Sequence, residues 1–220
     1  MVVRTLAAVV LIGSGWAHGS LSQDEAGLVR AAIAKTGDKD KEACAYSTWR
    51  EQDESVVEER FDPRAEEEWQ LVSVDGKTPT EGQIDDYAPE NRGPHPAVLD
   101  FESLEYDEFW PIESDPQSLV FGFIPKDEDG DPIDEAVRGR MTIARATNEL
   151  TAMEVEASGP WSPAAFVKMN RFWQKFALAY DEEVDAVVMT AMDMEIKGRA
   201  MGLKRINVAL NLRFGAFDCP

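Results

Sequence analysis

Two stretches toward the C-terminal end alternate apolar and polar residues, and this alternation constrains the fold more than any other feature. A period of two is typical of a strand that buries one face. Between 184 and 197 one parity is apolar: Val184, Ala186, Val188, Met192, Met194 and Ile196. Between 205 and 214 the apolar parity is Ile206, Val208, Leu210, Leu212 and Phe214. Gly198 and Gly202 lie between the stretches, where we expect the chain to reverse. The pattern predicts a long antiparallel hairpin with one apolar face, which the rest of the chain or a ligand must cover.

Capping signals predict helices in the first half of the chain. The stretch 22–35 begins with Ser22, which opens a capping box and is followed by an apolar stripe at helical spacing. Thr80 is a second candidate cap, and we expect a short helix from it to Tyr87 with Ile84 and Tyr87 facing inward. The chain is therefore expected to contain two or three short helices.

Turn residues and alternating apolar residues predict further antiparallel hairpins. The stretch 165–180 fits both a helix and a strand, and we favour a strand because its neighbours are strands joined by tight turns. The stretch 99–110 is ambiguous between a helix and an irregular strand. The remaining expected strands are 43–51, 55–61, 69–74, 118–125, 139–145 and 149–156. The sequence thus predicts a mainly β (α+β) chain with an antiparallel sheet of about eight to ten strands.

The first residues predict an export signal. Arg4 gives a short positive region, residues 6–12 are apolar and small residues follow, so we expect cleavage after Ala17, with Gly19 as the alternative. The apolar run is too short to span a bilayer comfortably, which favours cleavage over an uncleaved anchor, and no later stretch is long and apolar enough to cross a membrane. We expect a periplasmic protein. Its predicted parts are a signal peptide at 1–17, a helix and linker at 18–42 and one sheet domain at 43–220.

The charge of the chain disfavours one class of partner. Its formal net charge is −20 at pH 7. Such a charge repels phosphate backbones and anionic headgroups, so nucleic acid is not an expected partner. The simplest interpretation of the charge is solubility.

The sequence has two cysteines, Cys44 at the start of the first expected strand and Cys219. An oxidising compartment would allow them to form a disulfide, which would tie the last strand to the first. Two free, partly buried thiols are the alternative. Neither cysteine has a histidine close to it in sequence, so a nucleophilic role has little support.

No arrangement of residues in the sequence indicates a catalytic or metal centre. The two histidines, His18 and His95, are isolated and give neither a zinc set nor a triad. An acidic string at 127–134 has alternating carboxylates, but its glycine and its twelfth residue do not fit a calcium loop, so calcium is a minor alternative to a solvated turn. We therefore expect no enzyme, no cofactor and no metal.

Several motifs together resemble those of a group of exported proteins of Gram-negative bacteria. They are the end of the first hairpin, Glu59–Pro63, the segment Trp69–Thr80 with its Asp75–Gly76 turn, and the segment Gly198–Arg205. Over most of residues 43–217 the layout is similar to the outer-membrane lipoprotein carrier superfamily, the LolA/LolB and RseB-like fold. The resemblance implies a curved antiparallel sheet or incomplete β-barrel. It also implies short helices on the concave side, with acyl chains held between the sheet and these helices.

A curved sheet closed by only a few short helices leaves apolar surface that a ligand can fill. Methionine suits such a surface because its side chain is flexible and polarisable. The candidate cavity-lining residues are Met141, Met153, Met169, Trp173, Phe176, Met192, Met194, Ile206, Val208 and Leu210. Ordinary core packing is the alternative for each of them.

Lys204 and Arg205 form a basic pair in this acidic chain, with Lys197 and Arg199 close in sequence. One interpretation is pairing with acidic residues on neighbouring strands. The other is that Lys204 and Arg205 dock a partner or an anionic headgroup.

These expectations support two main functions. The first is a periplasmic, non-catalytic binding or carrier module with a hydrophobic cavity for a lipid or lipoprotein acyl chain. The second is an envelope interaction or sensor protein with a filled core, which acts through surface contacts with an envelope protein partner. A hydrolase that uses acidic residues is a third hypothesis, and no group of residues in the sequence supports it.

Overall fold

Most of the fold is one antiparallel sheet. In the computed structural model of the chain, the described residues are 20–36, 39–52, 55–87, 95–97, 109–125, 136–157, 159–164, 166–200 and 204–220. The strands are β1 (Ala45–Gln52), β2 (Ser55–Phe61), β3 (Trp69–Val74), β4 (Trp110–Ser114), β5 (Ser118–Phe123), β6 (Val137–Ala144), β7 (Glu149–Ala157), β8 (Trp161–Ala164), β9 (Val167–Asp181), β10 (Ala186–Ala200) and β11 (Lys204–Asp218). The described helices are α1 (Gln23–Ile33), α2 (Glu81–Asp85) and a 3-10 helix, Lys39–Ala43.

The order of the strands places the last strand near the middle of the sheet. Along the sheet the order is β3-β2-β1-β11-β10-β9-β7-β6-β5-β4, and β8 pairs with the beginning of β9. All of these pairs are antiparallel. Within the described ranges β3 and β4 each pair along one edge only, so the sheet stays open. The predicted fold class is therefore confirmed: a mainly β chain with a curved, open antiparallel sheet and few helices.

The long hairpin predicted from the alternating stretches is present, and a third long strand joins it. Strands β9, β10 and β11 have 15 residues each, or roughly 50 Å at the usual rise per residue. Strand β9 occupies the stretch for which a helix was the alternative, so the favoured interpretation of 165–180 is confirmed. The hairpins formed by β1 with β2 and by β6 with β7 are also present as expected.

Gly198 lies inside β10, which corrects the expectation that the chain reverses there. It is opposite Ile206 of β11 on one side and Met169 of β9 on the other. A β-carbon at this position would be 2.5 Å from the carbonyl oxygen of Lys168, so the close approach of β9 requires glycine. The connection between β10 and β11 falls at 201–203, and these residues lie outside the described ones.

A β-bulge at Thr190 switches the parity of β10 that faces the main core. Met189 lies in this core and Met192 packs against it, although simple alternation would place them on opposite faces. The expectation that a single parity runs along the whole stretch is therefore wrong. The residues that it misassigns belong to a second core cluster, and they are Val184, Ala186 and Val188.

Helix α1 covers the main core. Its cap is the predicted capping box, in which Ser22 and Glu25 bond each other's backbone. The helix buries Val29, Ala32 and Ile33 against the sheet. The strand residues of the same cluster are Leu119, Phe121, Phe123, Met141, Ile143, Leu150, Leu178, Val187 and Met189. The main core therefore fills the sheet between β5 and the first half of β10.

The second core is largely aromatic and lies beside the disulfide. The Tyr46 ring packs against Phe61, Trp69 and Phe214, with ring centroids 5.2, 5.9 and 6.2 Å away. Cys44 and Cys219 form a disulfide next to this cluster. The predicted pairing of the two cysteines is thus confirmed over two free thiols.

Three short elements differ from the sequence-based expectation. Thr80 caps α2 as predicted, but Ile84 is 56% exposed and does not face inward. Strand β4 begins at Trp110, inside the stretch that was ambiguous between helix and irregular strand, and the remainder of that stretch up to 108 lies outside the described residues. Strand β8 was expected neither as a strand nor as a partner of β9.

Two further expectations fall on residues that are not described. The export signal at 1–17, with its alternative cleavage after Gly19, and the acidic string at 127–134 both lie there. Among the helices that are described, none combines the length and apolar character that crossing a membrane requires.

Candidate binding surface

Strands β9, β10 and β11 continue past the two cores as a three-stranded arm, which comprises residues 167–175, 193–200 and 204–211. The pairing of β1 with β11 ends at Asn211, and the pairing of β7 with β9 ends at Trp173. Beyond these points, β8 is the one further strand that flanks the arm in the described chain. The arm thus projects from the body of the sheet.

One side of the arm is apolar across its whole width, and we call it the arm face. The register places Met194 opposite Leu210, and Ile196 opposite both Val208 and Phe172. The residues of the arm face are Trp161, Met169, Phe172, Met194, Ile196, Ile206, Val208 and Leu210. All of them are partly exposed, and within the described residues none belongs to either core cluster. Together with Met192 at its inner end, the face measures roughly 20 Å along β10, from Met192 to Gly198, at the usual rise per residue.

Four of the predicted cavity residues are not on the arm face, because they lie at its inner end or inside the main core. Met153, Phe176 and Met192 are partly buried and pack against the main core, whereas Met141 is fully buried inside it. Met141 and Met153 are direct cross-strand partners. The apolar surface is therefore continuous from the core to the arm.

Trp173 does not join the other predicted cavity residues. It is opposite Glu195 on β10 and Glu156 on β7, and its Nε1 donates a hydrogen bond to Glu154 Oε1 at 2.6 Å. Its neighbour Phe172 is on the arm face instead, because successive strand residues point to opposite sides. The placement of Trp173 among the lining residues is corrected accordingly.

Trp161 supplies a polar atom at the arm face. Its residue pairs with Met169, and its ring packs on Phe172 with centroids 5.8 Å apart. Trp161 Nε1 is buried and has no hydrogen-bond partner in the described structure. An indole N–H without a partner in an apolar setting is a donor that a ligand oxygen can satisfy.

The opposite side of the arm is charged and largely paired. Glu195 accepts from both Arg171 and Lys197, and Lys197 followed by Arg171 holds the pKa of this carboxyl below its usual range. Although partial burial opposes it, hydrogen bonds from Arg140 and Trp173 lower the pKa of Glu154. These carboxylates stay ionised at neutral pH, as is expected for a side of the arm that faces water.

Lys204 and Arg205 lie at the free end of the arm, and they do not form the cross-strand pairs with acids that were one interpretation. Arg205 is directly opposite Arg199, and Lys204 is opposite Ala200. Arg199 is in turn opposite Lys168 on β9. The register thus brings three cations into one row across three strands.

A buried carboxylate outside the arm was not predicted. Glu59 of β2 is 1% exposed, accepts a hydrogen bond from Tyr87 Oη at 3.0 Å and lies 3.7 Å from Arg50 Nε. A buried charge of this kind is stable when it is paired and hydrogen-bonded. Its partners come from the segment that follows α2 and from β1, so Glu59 fixes the packing of the first hairpin.

The described side chains do not form a group of three or more metal-ligating residues. A scan of protein-family models finds none that matches the chain, and a comparison with curated proteins finds no match either.

Proposed function

We propose that this protein is a non-catalytic binding or carrier module that holds an acyl chain of a lipid or lipoprotein on the arm face. The observation that carries the proposal is the arm face itself. Its apolar side chains are aligned across three strands and β8, are partly exposed and lie outside both cores. Contiguous exposed apolar surface of this kind is typical of binding sites.

The dimensions of the arm face suit one acyl chain. Half of the hydrocarbon core of a bilayer, which is the depth that one chain occupies, is about 15 Å. The arm face is roughly 20 Å long, so a single chain would lie along it and cover most of its side chains. Met169 and Met194 can adjust to chains of different length and unsaturation because methionine side chains are flexible.

Trp161 gives this surface a polar end. Its Nε1 lacks a partner among the described atoms, and an ester carbonyl or carboxylate oxygen of the ligand would accept its hydrogen. Satisfying a buried donor is worth about 1–3 kcal/mol. A lipid with an oxygen at the head of its chain is therefore favoured over a pure hydrocarbon.

The proposed location is the periplasm, after removal of the predicted signal at 1–17. The disulfide between Cys44 and Cys219 is compatible with export to an oxidising compartment. The resemblance of the motifs to the lipoprotein carrier superfamily supports the same assignment of ligand and location.

The test is native mass spectrometry of the protein purified from the periplasm, with titration of a fluorescent fatty-acid probe. We expect a co-purified lipid mass and saturable probe binding. The variant Val208→Thr should weaken probe binding roughly fivefold or more, because it places a hydroxyl against the chain. The matched control is Ala209→Thr, on the next residue of β11 and the opposite side of the arm. A clean apo mass without probe binding, or equal loss in both variants, would exclude the proposal.

The second candidate is an envelope interaction or sensor protein that acts through surface contacts. The tightly filled main core favours it, because Leu119, Phe121 and Met141 are fully buried and need no ligand. Under this alternative the protein would give an apo mass, and an envelope protein would cross-link to its surface.

A further inference from the structure

The free end of the arm carries a charge opposite to that of the protein as a whole. We define the arm tip as Phe166, Lys168, Arg199, Lys204 and Arg205, which lie in or next to the last two rows of paired residues. All five side chains are exposed. The chain has a formal net charge of −20. The four cations of the arm tip therefore place positive charge at one end of an otherwise negative protein.

The row formed by Lys168, Arg199 and Arg205 does not stabilise the sheet. Like charges directly opposite each other on neighbouring strands repel and are destabilising. Arg171 and Lys197, which pair with each other two rows further in, share Glu195, whereas the three cations of the row have no ion-pair partner among the described residues. The contacts among the described residues therefore do not explain why these three positions are basic, whereas binding of an external anion would explain it.

Phe166 is the second feature of the tip that folding does not explain. Its side chain is 83% exposed, the largest exposure among the large apolar residues of the described chain. Its backbone has φ 67°, a left-handed conformation that is unfavourable for a bulky side chain and that glycine or asparagine adopts far more readily. An exposed aromatic ring on a strained backbone, beside cations that have no ion-pair partner in the described part of the chain, suits the boundary between headgroups and acyl chains.

We propose that the arm tip docks on the surface of an anionic phospholipid bilayer. Phe166 enters the headgroup region, and Lys168, Arg199, Lys204 and Arg205 bind lipid phosphates around it. The negative body of the protein is repelled by the same surface, so the arm stands away from the membrane with its tip in contact. This contact does not require that the arm face carries an acyl chain.

A membrane fits the tip better than a protein partner or a nucleic acid. A protein interface would bury the ring in a pocket and pair the cations with acids, whereas an anionic bilayer satisfies both features at once and tolerates their loose spacing. Nucleic acid would extend along many cations, whereas this chain as a whole is strongly acidic.

The test is co-sedimentation of the purified, disulfide-bonded protein with vesicles of phosphatidylglycerol and phosphatidylethanolamine, and with vesicles of phosphatidylcholine alone. We expect binding to the anionic vesicles only, and weaker binding as salt is added. The triple variant Lys168→Gln, Arg199→Gln, Arg205→Gln should lose about 100-fold in partitioning, since each cation near an anionic surface contributes about fivefold. The matched control, with the same change in net charge at exposed cations elsewhere, is Arg30→Gln, Lys77→Gln, Lys175→Gln.

The contribution of the ring is tested separately. Phe166→Gly should weaken vesicle binding roughly tenfold and should melt no lower than the wild type, because glycine adopts a positive φ freely. Ile84→Ser, which alters another exposed apolar residue, should leave vesicle binding unchanged.

Three outcomes would overturn the proposal. They are equal binding to neutral and anionic vesicles, equal losses in the tip variant and its matched control, and absence of vesicle binding by the wild type. Loss of cross-linking to an envelope protein in the tip variant, with vesicle binding intact, would assign the tip to a protein partner instead. Binding of the fatty-acid probe, measured in the same variants, reports on the arm face and should not change.

Discussion

A β-carbon added to Gly198 would lie 2.5 Å from the carbonyl oxygen of Lys168. The oxygen belongs to the backbone of β9 and cannot rotate away as a side chain would. Gly198→Ala should therefore force β9 and β10 apart and lower the free energy of unfolding by about 1–3 kcal/mol, measured by urea denaturation. Gly159→Ala is the control, since nothing lies within 4 Å of the β-carbon that it adds. An unchanged midpoint for Gly198→Ala would show that the two strands are further apart than described.

Trp161→Phe should weaken binding of a fatty-acid probe about fivefold, because it removes the donor that we assign to the ligand. The stability of the free protein should stay the same or rise, since the deleted N–H has no hydrogen-bond partner among the described residues. The measurements are a probe titration and a thermal melt of each form. Trp173→Phe is an instructive comparison: its Nε1 is bonded to Glu154, so it should lose stability and keep probe binding. The reverse pattern would assign Trp161 a structural role.

His95 should make the stability of the protein depend on pH. Burial lowers the pKa of its ring below the usual 6.5, against a smaller opposite influence of the hydrogen bond to Cys44. Its Nε2 is 2.9 Å from the Cys44 carbonyl oxygen and its Nδ1 accepts from the Ala97 N–H at 3.2 Å, so the neutral ring is already satisfied. Below pH 6.5 the unfolded chain takes up a proton that the folded chain does not. The free energy of unfolding should therefore fall as pH is lowered through about 6.5 toward the folded pKa.

The measurement for His95 is urea denaturation at intervals between about pH 7 and about pH 5.5, above the range in which most carboxylates titrate. In His95→Gln the slope over this interval should disappear. A slope that is the same in the wild type and in this variant would mean that another group titrates.

Removing the disulfide should destabilise the protein strongly. The bridge joins residues 175 positions apart, and the loop-closure model gives about 5 kcal/mol for a loop of this length, whereas measured losses are typically about 2–5 kcal/mol. The double variant Cys44→Ser, Cys219→Ser should show this loss in urea denaturation. Reductant should destabilise the wild type and leave the double variant unaffected. A loss below about 1 kcal/mol would mean that the unfolded chain already keeps these ends close.

The arm could be predicted because apolar and polar residues alternate along a long strand that has one side exposed to water. Leu210 faces Met194, and Val208 faces Ile196, as the two apolar parities required. The bulge at Thr190 could not be predicted, since an extra residue changes which parity faces the core without any change in composition. Val184, Ala186 and Val188 were therefore expected on the same face as Met192, whereas they belong to the second core.

The two missed strands also have a physical explanation. Strand β4 contains Pro111 and β8 contains Pro163, and proline argues against a strand unless the strand lies at an edge. In the described sheet β4 is an edge strand and β8 is a short flanking one, so both tolerate proline. The pairing of Trp161 with Met169 could not be predicted, because the strand that contains Trp161 was not expected. The basic row at the arm tip depended on the pairing of Arg199 with Arg205, which composition alone does not show.

The place of β11 between β1 and β10 has a consequence for how the polypeptide acquires its shape. The hairpin of β1 and β2 is synthesised early. The other edge of β1 pairs with β11, so that edge has no partner until β11 has been synthesised. Until then the hairpin remains a separate piece with an open edge, at risk of pairing with another molecule. Folding of this protein should therefore be slow, should finish only after β11 has been synthesised, and should be sensitive to any chaperone that binds incomplete β-sheets.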